Sequence, residues 1–393
     1  MVKENLLDPL EDSRFKEIKR LKKKHVPHQL HWYLKEDYFS EELLGVYPSE
    51  IHQFTKAAEE AYQLFEKATA HIIANDALEK LQIPSFFKEC IVHSWNNRKK
   101  HAFLYGRFDL NAGFNNTRAK VIEFNADTCS TLPETIFWQP LQLEKLGNQF
   151  RQYNTLERDI TESLKNLRSS MSHEKPVFLA STFGYKEDIL NANCVMGAAY
   201  KAGYEPFYCD LEQVVFSEEE GVFYEVGGEY QPVDVWFKIV PWDWMFTEEP
   251  ELAKTLATIV QKELCVVLNP AYTAIWQNKK FLAYITEHFP NQVIAETYLT
   301  EEKLQGRDYV SKPIYGRLGE NVTLSRGKEI HSKGDYGQQS RVYQRFYPLV
   351  KDKEEYYYQT GVVYTQKPSA INFRTQESPI ITDDCEFMSH FIW

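Results

Sequence analysis

The chain has 393 residues, 43% hydrophobic and 15% aromatic, which suits a folded protein of two or three structural units and excludes a disordered chain. Its net charge of -11 excludes a general nucleic-acid binder, which needs a basic footprint, but leaves room for a local cluster of cations around a small anion. No run of roughly 18 apolar residues suggests a membrane span, and the N-terminus lacks an apolar core of signal-peptide length. Cys90, Cys129, Cys194, Cys209, Cys265 and Cys385 form no C-x-x-C pair and have no histidine cluster near them in sequence. A cytoplasmic protein with reduced thiols and no zinc site is therefore expected.

Residues 13–24 are basic, with Phe15, Ile18 and Leu21 at helical spacing, which predicts a solvated helix. Residues 31–47 are aromatic-rich and read as loop and short helix. Ser49 followed by Glu50 predicts the cap of a long helix. Ile51, Phe54, Ala58, Ala61, Phe65, Ala68 and Ile72 form one apolar stripe on it, suited to packing on a sheet. A second helix is predicted over 84–91.

Residues 104–110 and 120–126 alternate in polarity around a turn rich in Asn, Gly and Thr, the pattern of a β-hairpin. Alternation predicts Phe108, Leu110, Ile122 and Phe124 in a core, with Arg107, Asp109, Glu123 and Asn125 on the other face. Oxygen-bearing side chains without Cys or His suit a hard cation such as magnesium, and an arginine beside them suits phosphate. An exposed hairpin face laced with salt bridges fits the same spacing.

Residues 133–171 read as helix. A strand at 176–181, a helix at 189–201 and a strand at 204–210 then form a compact β-α-β unit, which implies a parallel sheet. Glu187 and Asp188 fall at the helix start beyond the first strand's carboxyl end, where ligands collect in such sheets and where acids also serve the helix dipole. Residues 212–229 read as a hairpin, and 234–244 as a buried strand running into an aromatic turn. Lys238 inside that apolar strand needs a partner, as a structural ion pair or as a site residue. Residues 249–263 and 278–289 look helical. Residues 309–325 read as a hairpin whose Gly316, Arg317 and Gly319 form a flexible turn, with Lys312 on the strand before it. This pattern suits a flap over phosphates as well as an ordinary hairpin. Residues 342–349 form an extended run suited to a nucleotide hinge; Gln344 and Phe346 lie in it.

Taken in order, RFD, EFNADT, DVWFKIVPWDW, the pair Asn278–Lys279, SKPIYGRLGENV and VYQRFYPL resemble the synthetase domain of the glutathionylspermidine synthase family, from about Trp32 to Trp393. The resemblance implies a mixed α/β, ATP-grasp fold with a pre-ATP-grasp-like parallel β-α-β unit. The expected regions are 1–135 (helical region plus metal-binding hairpin), 136–270 (substrate-binding α/β region) and 271–393 (nucleotide-binding region). It also implies a ligase that uses ATP and Mg2+ to activate a carboxylate as an acyl phosphate, which an amine then attacks. The partners are a small peptide or thiol-peptide and a polyamine or amino acid, with no nucleic acid and no membrane, in a monomer or homodimer. Carried over by position, Asp109, Glu123 and Asn125 hold the metal, and Arg107 and Arg317 are catalytic. Lys279, Lys312, Gly316, Gly319, Gln344 and Phe346 meet the nucleotide. Thr128, Ser130, Thr131, Glu187, Asp188, Asp243 and Arg374 meet substrates. The chain is too short for the amidase domain of the bifunctional members. It carries Cys129 where shorter relatives have proline, and Leu318 where an acid is common. These departures leave open a different peptide–amine pair; a nucleotide-binding protein without catalysis is the remaining alternative.

Overall fold

The computed structural model describes residues 7–35 and 38–393; the first six residues of the N-terminal stretch lie outside it. The long helix is Pro48–Ala74. Its N-cap is Tyr47, not the expected Ser49, because Pro48 fits the first helical position, where its missing N–H costs nothing. The Glu50 carboxylate accepts the Tyr47 N–H at 3.0 Å and closes the first turn. It also takes two bonds from the buried Arg14 guanidinium, at 2.8 and 2.9 Å. That inward pull on Arg14 accompanies the failure of residues 13–24 to form the expected helix. Phe15–Glu17 is instead an edge strand, antiparallel to Phe39–Val46. Residues 31–47 accordingly divide between the 3-10 helix His28–Lys35 and that strand. The predicted apolar stripe of the long helix is buried throughout.

The helix packs on an eight-stranded sheet in the order Phe15–Glu17, Phe39–Val46, Glu386–Ile392, Pro368–Gln376, Tyr357–Tyr364, Gly106–Asn111, Lys120–Asn125, with Val350–Lys351 also paired to Tyr357–Tyr364. Neighbours run antiparallel, except Phe39–Val46 beside Glu386–Ile392, which are parallel. The sheet thus draws strands from the first 125 residues and from the last 44, counted back to Val350.

A second sheet is wholly parallel, in the order Val266–Leu268, Val235–Lys238, Val177–Thr182, Glu205–Asp210. It contains the predicted β-α-β unit, with helix Lys186–Lys201 as the crossover. The stretch expected as one helix over 133–171 is broken. A π-helical turn, Glu134–Trp138, leads into Gln139–Leu146, which stops at Gly147 (φ +138°); Leu156–Arg168 then packs on the sheet. The expected hairpin at 212–229 gains a third strand, Glu229–Val233. The expected aromatic turn after Lys238 is a short helix, Trp242–Glu248.

The fourth sheet is an antiparallel flap of Thr297–Tyr298, Arg341–Arg345, Tyr309–Pro313, Thr323–Arg326 and Lys328–His331. Among the described residues, no helix is long and apolar enough to cross a membrane.

Candidate active site

The hairpin forms as strands Gly106–Asn111 and Lys120–Asn125. Phe108 and Phe124 stack at 3.8 Å on the core face. A bulge follows: Asp109 pairs with Glu123, but Leu110 pairs with Val121. The core position expected for Ile122 therefore goes to Val121, which is fully buried, while Ile122 is the extra, half-buried residue. The Ile122 carbonyl accepts Gln344 Nε2 at 3.1 Å, which ties the flap sheet to the hairpin.

On the other face, Arg107 donates to Asp109 through Nε (2.6 Å) and Nη2 (3.2 Å) and approaches Thr131 Oγ1 at 3.3 Å. Arg374, two strands away, donates to the same Asp109 carboxylate at 2.7 Å and to Gln359. Asn125 Nδ2 lies 3.2 Å from both Asp109 Oδ2 and Glu123 Oε1. Gly361, on the intervening strand, makes this arrangement possible. A Cβ there would sit 2.8 Å from Arg107 Cδ and 2.3 Å from Asn372 Oδ1. Burial pushes the Asp109 carboxyl up, but the two guanidiniums outweigh it and hold Asp109 well below the ordinary carboxylate range.

The cations from the distant segments arrive at the same place. Lys279, at the start of helix Lys280–His288, has its Nζ 3.6 Å from Glu123 Oε2 and donates to the Gly316 carbonyl at 2.6 Å. Lys312 donates to Gln344 Oε1 at 3.0 Å. Burial lowers the Lys312 ammonium to about 8; Glu123 and Asp109 pull it back up, while Lys279 lowers it further. The hairpin's acids, Lys279 at the helix start and Lys312 on the flap sheet thus share one electrostatic site.

Arg317 pairs with Asp243 at 2.5 Å and donates to the Tyr315 carbonyl; among the described residues no contact links it to the hairpin's acids. Gly319 (φ +68°) lies so close to the Ile381 carbonyl that a Cβ would come within 2.2 Å of it. Phe346 packs with Leu324 and Ile380, and Arg326 covers its ring. Thr128 and Ser130 are half-buried on the loop after the hairpin, and Thr131 is buried. Lys238 is a structural ion pair: its Nζ donates to Asp127 Oδ1 at 2.8 Å, and the other Asp127 oxygen accepts the Trp242 N–H at 2.7 Å. Burial moves both groups toward neutrality, Lys238 down and Asp127 up.

Sequence reasoning missed Glu134. The π-helical turn buries this carboxyl completely. Tyr33 and Tyr38 donate to Oε1, at 3.1 and 3.3 Å, and Oε2 has no hydrogen-bond partner among the described residues. Desolvation, with Glu187 adding repulsion, pushes it up to about 7. Glu187 and Asp188 lie in the first turn of Lys186–Lys201, as expected. Desolvation raises both, Asp188 to about 6, and Arg107 draws Glu187 down. The one signal available in sequence was a lone acid after Pro133, opening an otherwise apolar helical run.

The model for the glutathionylspermidine synthase preATP-grasp family matches residues 14–393. The chain belongs to the glutathionylspermidine synthase family. Among relatives of this family, a provisionally named acid–amine ligase of Haemophilus influenzae is 25% identical, covering 87% of this chain and 88% of that protein. Trypanothione synthetase of Crithidia fasciculata is 26% identical over 83% of this chain, and the bifunctional glutathionylspermidine synthetase/amidase of Escherichia coli 24% over 77%. The alignments span 53% and 52% of those two proteins. A glutathione synthetase-like effector of Globodera pallida shares the fold, with TM-score 0.56, 8% identity and 90% coverage of each chain. The architecture is the mixed α/β, ATP-grasp type expected of the glutathionylspermidine synthase family, and the chain is a ligase that forms carbon–nitrogen bonds.

Proposed function

We propose that the chain couples ATP cleavage to joining a peptide carboxylate with a cationic amine. The observation that carries this reading is the approach of Lys279 to Glu123, at 3.6 Å, with Lys312 on the flap sheet feeling the charge of Glu123 and Asp109. A triphosphate needs cations and a metal at one place, and phosphoryl transfer needs little else from the protein but positioning and charge. The donor set fits magnesium. Asp109, Glu123 and Asn125 offer only oxygen-type ligands around one point, and a half-turn of the Asn125 amide would present Oδ1 there. When bound, magnesium supplies charge neutralisation at the phosphate oxygens.

The chain's own residues then divide the work. Lys279 and Lys312 bind the phosphates. A carboxylate oxygen of the peptide attacks the terminal phosphorus, the bond to ADP breaks, and an acyl phosphate forms. Arg107 and Arg374 stabilise the charge that develops there and at the later tetrahedral carbon. The amine nitrogen attacks the acyl carbon, and phosphate leaves. A cationic amine must first lose a proton. Glu134, Glu187 and Asp188 form an acidic wall that both attracts the cation and accepts that proton. The names of the relatives point to glutathione as the type of peptide and spermidine as the type of amine.

The test is ADP release from magnesium-ATP across panels of peptides and amines. Amine-dependent release that disappears in Asp109→Ala is the expected result. Tight ATP binding with no turnover on any pair would instead mark a nucleotide-binding protein without catalysis.

The acidic wall gives a second expectation. Folded Glu134 and Asp188 hold their protons more tightly than ordinary carboxyls. Their stabilising effect is therefore complete below the ordinary carboxyl range and is lost as pH rises through about 6 to 7. A polyamine placed among the ionised groups offsets that loss. Spermidine should raise the melting temperature more at pH 8 than at pH 5, and Glu134→Gln should shrink the difference. Equal shifts at both pH values in the unaltered chain would remove these carboxyls from the amine site.

A further inference from the structure

A second cluster of ligand-bearing side chains lies where the hairpin chemistry does not reach. His93 is in the last turn of helix Ser85–Asn96, and His101 is on the segment leading into strand Gly106–Asn111. Glu263 follows helix Pro250–Gln261 in a left-handed conformation (φ +57°). One ligand atom from each of the three lies within 4.8 Å of the other two. His93 Nε2 is 3.8 Å from Glu263 Oε1, and Lys100 takes the other Glu263 oxygen, Oε2.

His101 is the second and independent observation. It is 2% exposed, and among the described residues neither of its ring nitrogens has a hydrogen-bond partner; His93 Nε2 has none there either. A neutral imidazole carries one N–H and one lone pair, and burying both unpaired is costly. Native structures seldom leave such groups without an explanation, and an absent ion is one of the recognised ones. A cavity of about 150 Å³ opens beside the cluster, lined by Lys100, Ser170, Cys265 and two of the three candidate ligands, His101 and Glu263. It has room for water or a small anion.

We infer that His93, His101 and Glu263 form a binding site for a divalent transition metal of the zinc class, with its fourth position open to the cavity. Two imidazoles and a carboxylate favour zinc, nickel or copper over magnesium, which prefers oxygen alone. Bonds of about 2.0–2.2 Å place tetrahedral ligand atoms about 3.4 Å apart, so the side chains draw in on binding. Glu263, on a residue beyond a helix end, has the freedom to do so. The ion would tie the ends of two packed helices to the segment that delivers Arg107 and Asp109 to the ligase site. Its role is independent of the proposed reaction.

The test uses the full chain stripped with a chelator. Zn2+ is titrated in competition with a chromogenic chelator, with thermal melting in parallel and Co2+ as the spectroscopic probe. The expected result is one tight equivalent, a raised melting temperature, and a Co2+ spectrum without thiolate charge transfer. His93→Gln and Glu263→Gln should each weaken binding by more than the roughly 10- to 100-fold that outer partners of a metal site cost and abolish the thermal shift. Both positions are partly exposed, so these variants carry the test even if His101→Asn fails to fold. No tight equivalent, undiminished affinity in both variants, or a thiolate band in the Co2+ spectrum would each overturn the proposal.

Discussion

Lys238→Met is expected to cost about 3–5 kcal/mol of folding stability, the range for stranding one member of a buried ion pair. Neither Lys238 nor Asp127 is exposed by more than 2%. Without the ammonium, Asp127 keeps the Trp242 N–H at 2.7 Å and a longer contact to Thr273, but its charge loses the 2.8 Å bond that satisfies it. The lysine also covers the Trp242 ring at 4.3 Å, and methionine retains only the packing part of that contact. Adding Asp127→Asn should recover part of the loss, because an amide oxygen still accepts the Trp242 N–H and no charge is left behind. Urea unfolding of both variants and the double variant measures the coupling. If the single lysine variant melts like the unaltered chain, the pair is not holding the parallel sheet to the loop after the hairpin.

Arg107→Gln is expected to lower kcat by about 100- to 1,000-fold, the usual effect of losing one preorganised group at a developing charge. The guanidinium is fixed before any substrate arrives, by Asp109 on one side and Thr131 on the other, in space that Gly361 leaves open. Arg374 remains on Asp109, so the carboxylate is not abandoned and the fold should survive. Steady-state kinetics on the pair identified by the ADP panels, with melting as a control, separates the roles. A rise in KM for ATP with kcat intact would show that Arg107 only binds.

The hairpin face was legible because strands alternate with period two, and four polar residues of matched chemistry fell on one side. The bulge was not, because it depends on the partner register; hence Val121, not Ile122, fills the core. Helical spacing misled at residues 13–24, where tertiary forces won: Arg14 is drawn inward to Glu50, and an open sheet edge recruits Phe15–Glu17. The convergence of Lys279 and Lys312 on the acids was legible only through the resemblance, since nothing local fixes contacts between segments so far apart in sequence. Glu134 and Gly361 escaped for the same reason. The first owes its raised pKa to burial, with repulsion from Glu187 and against the hydrogen bonds from Tyr33 and Tyr38, and the second its necessity to the Asn372 and Arg107 side chains on the strands either side. His93, His101 and Glu263 are likewise brought together only by tertiary packing, of two helix ends against the segment before strand Gly106–Asn111.

The parallel contact between Phe39–Val46 and Glu386–Ile392 has a consequence for biosynthesis. The ribbon Phe39–Val46 must wait for its neighbour until everything between it and Glu386 has been made, with Leu43 and Leu44 lacking their final cover. Such long-range closure is slow and exposes sticky edges. Stalled or clipped nascent chains that lack Glu386–Ile392 should therefore be prime clients for chaperones, whereas the parallel sheet, complete by Leu268, can form before that strand is made.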